Sequence, residues 1–324
     1  GCEPNEFDLY IGIPFCVTRC AYCSFSSGVL GNGRLVEPYL SALFKELDAA
    51  AEIAKAGKLK IRACYMGGGT PTSLTASQLE RTLERAMRLF PGAREWTVEA
   101  GRPDTIDRAK LSVMKEMGVG RISINPQTFS DETLARIGRA HSAAQIYEAY
   151  DLARGMGFDD INMDLIAALP GETEADFDNS LTEAIRLSPQ SVTVHTLAVK
   201  RTSKLHEKGY QQAEDGRAAR MVDRARERLM RAGYRPYYLY RQKHMADNLE
   251  NVGYALPGKA CVYNIDNMEE TAPVMAVGAC AITKWLFPRE RRIERAANLR
   301  NIEAYIDRVD EMIARKRALI LKEV

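Results

Sequence analysis

Three cysteines, Cys16, Cys20 and Cys23, lie within eight residues in the run IPFCVTRCAYCSF, spaced C-x3-C-x2-C. Thiolates at that spacing wrap one corner of an iron–sulfur cube, each binding a different iron. A fourth cysteine would complete the cluster for electron transfer, whereas three leave one iron open to a small molecule. With a distant fourth ligand the same thiols would make a structural zinc site. Zinc sites usually come as paired C-x2-C knuckles, and no second knuckle follows. The other four of the seven cysteines, Cys2, Cys64, Cys261 and Cys280, are scattered and suited to structural burial. An odd, dispersed set is not a secreted disulfide framework, so the pattern points to metal or redox chemistry in a reducing compartment.

The elements around this motif alternate. Strand-like runs fall at 7–13, 59–66, 94–99, 120–125, 159–166 and 191–197, with amphipathic helices near 35–56, 75–90, 104–117, 142–156, 173–187 and 213–232. The helix near 104 is expected to be capped by Asp104, with Asp107 in the capping-box position. Six βα units in series imply a parallel sheet with right-handed crossovers. Polar, chemically capable residues follow one strand after another, at the strand ends where barrel active sites lie. The fold expected is therefore α/β, a partial (β/α)6 barrel over residues 1–235. Residues 236–324 are expected to form a smaller α+β domain covering the substrate: a Tyr-rich strand YYLYR, a loop NLENVGYALPG, an apolar stretch near 273–287 and a charged helix near 299–320.

Composition is that of a globular protein: 46% hydrophobic and 27% charged over 324 residues. The net charge of +2 gives no basic field for nucleic acid. No apolar run approaches the roughly 20 residues of a membrane span, and a cytoplasmic protein is expected. Of the histidines, His195 ends the sixth strand facing the presumed site, while His141, His206 and His244 show no pairing pattern, so no histidine-based mechanism is expected.

The cysteine motif after the first strand of a six-unit barrel resembles the radical S-adenosylmethionine superfamily, over about Tyr10 to Tyr234. The runs YIGIPFC, YMGGGTPTSL and NMDLIAALPGET resemble its oxygen-independent coproporphyrinogen III oxidase group, and the tail NLENVGYALPGKACVYNI with FPRERRIER is most similar to the HemZ branch. The resemblance implies a [4Fe–4S] cluster on Cys16, Cys20 and Cys23 and a bound S-adenosylmethionine. Gly67, Gly68, Gly69 and Thr70 would receive its methionyl amino group on bare backbone; in other proteins such a glycine cluster is a tight turn. Glu99 would bind the same amino group, although a strand-end Glu is more often a solvated charge. Gln127, Arg139 and Asp164 would contact the cofactor, with Arg suited to its carboxylate and Asp to its ribose hydroxyls. Ile166 and Ala198 would touch the adenosyl part. Tyr10 corresponds to a family tyrosine near cluster and substrate, though a strand Tyr is as often plain core.

The reaction implied is one-electron cleavage of S-adenosylmethionine to methionine and a 5′-deoxyadenosyl radical. That radical takes a hydrogen from a propionate β-carbon of coproporphyrinogen III. Loss of CO2 and an electron leaves a vinyl group, and two such events give protoporphyrinogen IX for haem biosynthesis. The partners implied are the tetrapyrrole and a reducing donor such as flavodoxin or ferredoxin. Tyr237, Tyr238, Tyr240, Arg241 and Lys243, and a second group of Arg289, Arg291, Arg292 and Arg295, would suit a tetracarboxylate; without the resemblance they read as a half-buried strand and a solvated helix face. The coproporphyrinogen dehydrogenases carry a further Cys two residues after the third ligand, where this chain has Phe25. Phe also occurs there in the haem-chaperone branch, whose H-N-x-x-Y-W string is not found here; the nearest text is Asn248 to Tyr254. Haem carriage is thus the alternative to catalysis.

Overall fold

The computed structural model describes residues 3, 5–23, 28–210, 215–241, 245 and 249–322. Phe25, Lys243, His244 and Asn248 lie outside the described residues, as does Cys2.

The chain opens with β1 (Glu6–Ile13), whose Phe7, Leu9, Ile11 and Ile13 are fully buried, and a short pair, β2 (Phe15–Cys16) with β3 (Gly28–Val29). Then follow α1 (Val36–Ala56), β4 (Lys60–Gly68), α2 (Ala76–Leu89), β5 (Glu95–Gly101), α3 (Arg108–Glu116), β6 (Arg121–Ile124), α4 (Asp131–Arg136), α5 (Ala143–Gly155), β7 (Ile161–Ala167), α6 (Glu174–Leu187) and β8 (Ser191–Thr196). Strands β1, β4, β5, β6, β7 and β8 pair in that order, all parallel. They are the six expected units. The helices start where local chemistry says: Thr75–Gln78, Ser142–Gln145 and Thr173–Asp176 each close a reciprocal capping box on α2, α5 and α6.

One start differs. Pro103–Thr105 forms a 3-10 turn, and α3 begins at Arg108 under Asp107, whose side chain accepts from the Lys110 N–H at 2.9 Å. Asp104 does not cap. Its two carboxylate oxygens each take a hydrogen bond from the Arg102 guanidinium at 3.0 Å, a charge-assisted fork that outcompetes a single backbone N–H.

The remainder of the chain comprises α7 (Lys204–Glu207), α8 (Arg217–Arg231), β9 (Arg235–Tyr240), β10 (Asn251–Ala255), α9 (Val262–Met268), β11 (Val274–Val277), β12 (Ile282–Phe287), β13 (Arg292–Ala297), α10 (Ile302–Asp307) and α11 (Val309–Ile320). Its five strands extend the six-strand core at both edges. Among the described residues the sheet has eleven strands, with β10 and β9 added antiparallel beyond β8, and β11, β12 and β13 beyond β1. NLENVGYALPG, expected as a loop, contains β10, because Val252 and Tyr254 pair across from Val194 and Val192. Gly253 is required there: a Cβ would fall 1.9 Å from the Tyr238 ring. The basic run near 291–295, which reads alone as a helix face, is the edge strand β13. Among the described residues no helix is long and apolar enough to cross a membrane.

Candidate active site

The C-terminal ends of all six parallel strands open onto one cavity of about 300 Å³. Cys16, Cys20 and Cys23 form one wall, Gly68, Gly69 and Thr70 a second, and Glu99, Gln127, Arg139, Asp164, Ile166 and Ala198 line the cavity as well. Sequence residues spread over 180 positions thus meet at one place. Tyr10 and Gly67 do not line it. They stand behind the glycine wall, Tyr10 stacked on Tyr65 and Tyr263 with ring centroids 6.4 and 6.3 Å away.

The cysteine loop is fixed by main-chain and buried polar contacts. The Ala21 N–H donates to Ile137 O at 2.8 Å, and the Leu205 N–H donates to Ala21 O at 2.9 Å, tying the loop to α4 and α7. Arg102, 3% exposed, donates from Nη1 to Thr18 O at 3.1 Å and to Thr18 Oγ1 at 2.7 Å, between the first two cysteines. Asp104 holds that guanidinium from behind and also meets His141 Nδ1 at 3.6 Å. Burial pulls the His141 pKa down. Among the described residues no three Cys, His, Asp or Glu side chains converge on a single-ion site. A cubane does not need them to, since each thiolate takes a different iron.

The glycine wall is zipped to the strand that delivers Cys16. Gly69 N–H donates to Ile13 O and Thr70 N–H to Phe15 O, at 2.7 and 2.8 Å. A Cβ on Gly69 would lie 2.6 Å from Phe15 O, and one on Gly67 2.6 Å from Glu99 Oε2. Glycine is needed at both for strand and carboxylate to approach. Glu99 accepts from Tyr65 Oη at 2.6 Å and from the Gly68 N–H at 3.2 Å. It is no solvated charge: burial pushes its pKa up to about 7, the Tyr65 and Gly68 hydrogen bonds oppose the rise, and the Asp164 charge adds to it.

On the opposite side Arg139 donates from Nη1 to Asn125 O at 3.2 Å and from Nη2 to Tyr22 Oη at 3.1 Å. Asp164 accepts from Asn162 Nδ2 at 2.8 Å and faces His195 Nε2 at 3.5 Å. Burial works to raise its pKa, but hydrogen bonds from His195, Asn162 and Thr193 hold it below the ordinary carboxylate value. Gln127 sits at φ +70° and pairs with Leu165 as an isolated bridge, which turns its side chain into the cavity. Asn125 Oδ1, Gln127 Oε1, Arg139 Nε, Thr196 Oγ1 and Arg19 Nε are buried without a hydrogen-bond partner, and all five belong to cavity-lining residues. Such groups cost free energy unless something pairs with them; five of the eleven such atoms among the described residues meet at this one cavity, which suits a polar ligand site, while the other six, on Asp8, Thr97, His141, Glu172 and Arg217, lie outside it.

Sequence reasoning missed Arg102, Asn125, Asn251 and the pairing of His195 with Asp164. Arg102 and Asn125 each follow a strand, the one signal that would have found them. Asn251 comes from β10 and accepts from the Thr196 N–H at 2.8 Å. Of the proposed tetrapyrrole contacts, Tyr240 reaches the cavity. Tyr238 is buried with its hydroxyl 3.3 Å from Thr193 Oγ1, Tyr237 meets Asn264, and Arg241 pairs with Glu250. Arg292 and Arg295 pair with Glu290, Glu294 and Glu270 on the far edge of the sheet, and Arg291 ends the preceding turn; none lines the cavity.

Comparison with known proteins bears on this arrangement. The radical SAM superfamily profile matches residues 10–184. The oxygen-independent coproporphyrinogen-III oxidase-like protein HemZ of Bacillus subtilis is 43% identical over 94% of this chain and 62% of its own length. The heme chaperone HemW of the same organism is 37% identical over 59% of the chain and 50% of its own length, and the heme chaperone HemW of Escherichia coli 29% identical over 92% and 75%. The chain therefore spans about half to two thirds of its two Bacillus relatives. Among solved structures, coproporphyrinogen III oxidase (HemN) from Escherichia coli, described as a radical SAM enzyme, shares the fold with a TM-score of 0.77 at 21% identity, over 95% of this chain and 70% of that one.

Proposed function

The chain belongs to the radical S-adenosylmethionine superfamily, and from that premise we propose that it carries out the oxygen-independent oxidative decarboxylation of coproporphyrinogen III propionates to vinyl groups. The observation that carries this reading is the single cavity joining three cysteines to a ring of unmatched polar groups. Three thiols with a fourth position open suit a [4Fe–4S] cluster, and the unmatched atoms suit a ligand with an amino acid at one end and a nucleoside at the other. When bound, the cluster and S-adenosylmethionine supply the one-electron and hydrogen-abstracting chemistry that a polypeptide lacks.

The side chains then do the positioning. Cys16, Cys20 and Cys23 hold the cluster on a loop that Arg102 stiffens. Glu99 and the backbone of Gly68 to Thr70 receive the ligand ammonium, and Arg139 and Gln127 its carboxylate. Asp164 takes the ribose hydroxyls, while Ile166 and Ala198 pack the adenine. Tyr240, Lys200 and Arg19 line the cavity where a carboxylate-bearing substrate would enter, and Lys200 forms no ion pair among the described residues. Tyr10 acts from behind the glycine wall through Tyr65. A flavodoxin- or ferredoxin-like donor would reach the cluster at the cysteine loop, in the cytoplasm. The similarity to HemZ, named as oxidase-like, and to the HemN fold supports the substrate class.

Haem carriage is the second reading, favoured by a HemW relative alignable over 92% of the chain. Anaerobic incubation of the reconstituted protein with coproporphyrinogen III, reductant and S-adenosylmethionine separates the two. Protoporphyrinogen IX as product establishes the decarboxylation. Tight stoichiometric haem binding with no tetrapyrrole turnover establishes the carrier.

A further inference from the structure

The sequence predicts no histidine-based mechanism, yet His195 stands between two polar groups on different strands of the cavity wall. Its Nε2 lies 3.5 Å from Asp164 Oδ2 on β7, and its Nδ1 lies 3.4 Å from the Tyr240 hydroxyl on β9. The imidazole is 24% exposed and the carboxylate 18%, so both are largely shielded from water. Asn162 Nδ2 fixes the other oxygen, Asp164 Oδ1, at 2.8 Å, leaving Oδ2 to His195. The titratable groups facing this imidazole are Asp164, Tyr240 and, across the cavity, Glu99.

We propose that His195 is a positioning residue that holds the Asp164 carboxylate in its ligand-binding orientation, with its tautomer set by the Tyr240 hydroxyl. The inference rests on the assignment of Asp164 to the ribose of S-adenosylmethionine. A neutral imidazole carries one N–H. When the Tyr240 O–H donates to Nδ1, the proton must sit on Nε2 and point at Asp164; without the phenol the two tautomers compete, and the wrong one aims a lone pair at a carboxylate. Tyr240 thereby links the segment after the barrel core to the cofactor site.

The test uses anaerobically reconstituted protein and three probes: S-adenosylmethionine, 5′-methylthioadenosine, which keeps the ribose, and methionine, which lacks it. His195→Ala is expected to bind both ribose-bearing probes about 10-fold more weakly, the loss of one hydrogen bond to a charged group, with methionine binding unchanged. His195→Gln, which keeps an N–H donor near the Nε2 position, is expected to recover most of the loss. Tyr240→Phe is expected to bind both ribose-bearing probes about threefold more weakly, with methionine binding unchanged. If Asp164→Ala weakens 5′-methylthioadenosine while His195→Ala and Tyr240→Phe do not, the positioning role is overturned and the cavity assignment stands. If Asp164→Ala itself has no effect, the assignment beneath both fails. Should His195→Ala lose the fold, Tyr240→Phe decides: 5′-methylthioadenosine binding equal to the parent's overturns the proposal.

Discussion

Two buried polar clusters in this molecule have opposite bookkeeping. Glu46 on α1 is fully buried and accepts four hydrogen bonds: from Gly278 N–H at 2.7 Å, Tyr305 Oη at 2.6 Å, Asn298 Nδ2 at 2.8 Å and Lys316 Nζ at 2.8 Å. Every partner is protein, and together they join α1 to the turn after β11, to α10 and to α11. At the strand ends, by contrast, five cavity-lining residues each carry a buried polar atom with no partner. A satisfied cluster stabilises the fold; an unsatisfied one lowers stability and is completed by a ligand. The polar inventory alone does not distinguish them, since both contain cations, amides and hydroxyls. The matching does.

The widest separation between the two regions is expected from the cysteines. Replacing any one of Cys16, Cys20 or Cys23 by Ala should abolish the cluster, measured as iron and sulfide after anaerobic reconstitution, with about four of each in the parent. Cys261→Ala, at the buried contact with Glu95, should retain the parent content. A protein holding one zinc and no sulfide would refute the cluster.

Next comes the satisfied cluster. Lys316→Met leaves Glu46 buried without its counter-charge, which should cost about 3–5 kcal/mol in denaturant unfolding while leaving ligand affinity of the folded protein unchanged. A parallel loss of affinity would mean that the two regions are coupled and the contrast is false.

A smaller effect is expected from Glu99. Its pKa is raised from 4.5 to about 7 by burial, so the folded state keeps a proton the unfolded chain has lost, and this group's contribution to stability falls as pH rises across that window. Ligand binding runs the other way, because only the ionised carboxylate attracts an ammonium. Affinity for S-adenosylmethionine should rise roughly five- to tenfold between about pH 6 and pH 7.5, and Glu99→Gln should flatten the rise. An equal slope in the variant would assign the titration elsewhere.

These contrasts also explain what the sequence could disclose. The cysteine motif and the strand-then-polar rhythm are local signals, carried by spacing and by a period of two or 3.6 residues, and the six parallel strands followed from them. What stayed hidden depends on register between distant strands. His195 reaches Asp164 because Ile166 on β7 lies beside His195 on β8, and Asn251 joins the wall because β10 pairs antiparallel to β8; neither is encoded within a window of residues. Asp104 reads as a cap because capping rules see only the chain ahead, whereas its partner Arg102 lies two residues behind and is fixed by Thr18. The edge strand β13 is too charged on both faces to show alternation.

The most direct test of the central claim, that the polar groups gathered at the strand ends, matched and unmatched, hold S-adenosylmethionine, is the stabilisation this ligand gives the reconstituted protein. At about 100 times its dissociation constant it should raise the unfolding free energy of the parent by about 2.7 kcal/mol. In Arg139→Ala and Asp164→Ala, with cluster absorbance unchanged and affinity about 10- to 100-fold lower, the same concentration should give about 1.4 kcal/mol or less. Equal stabilisation of parent and both variants would contradict the account.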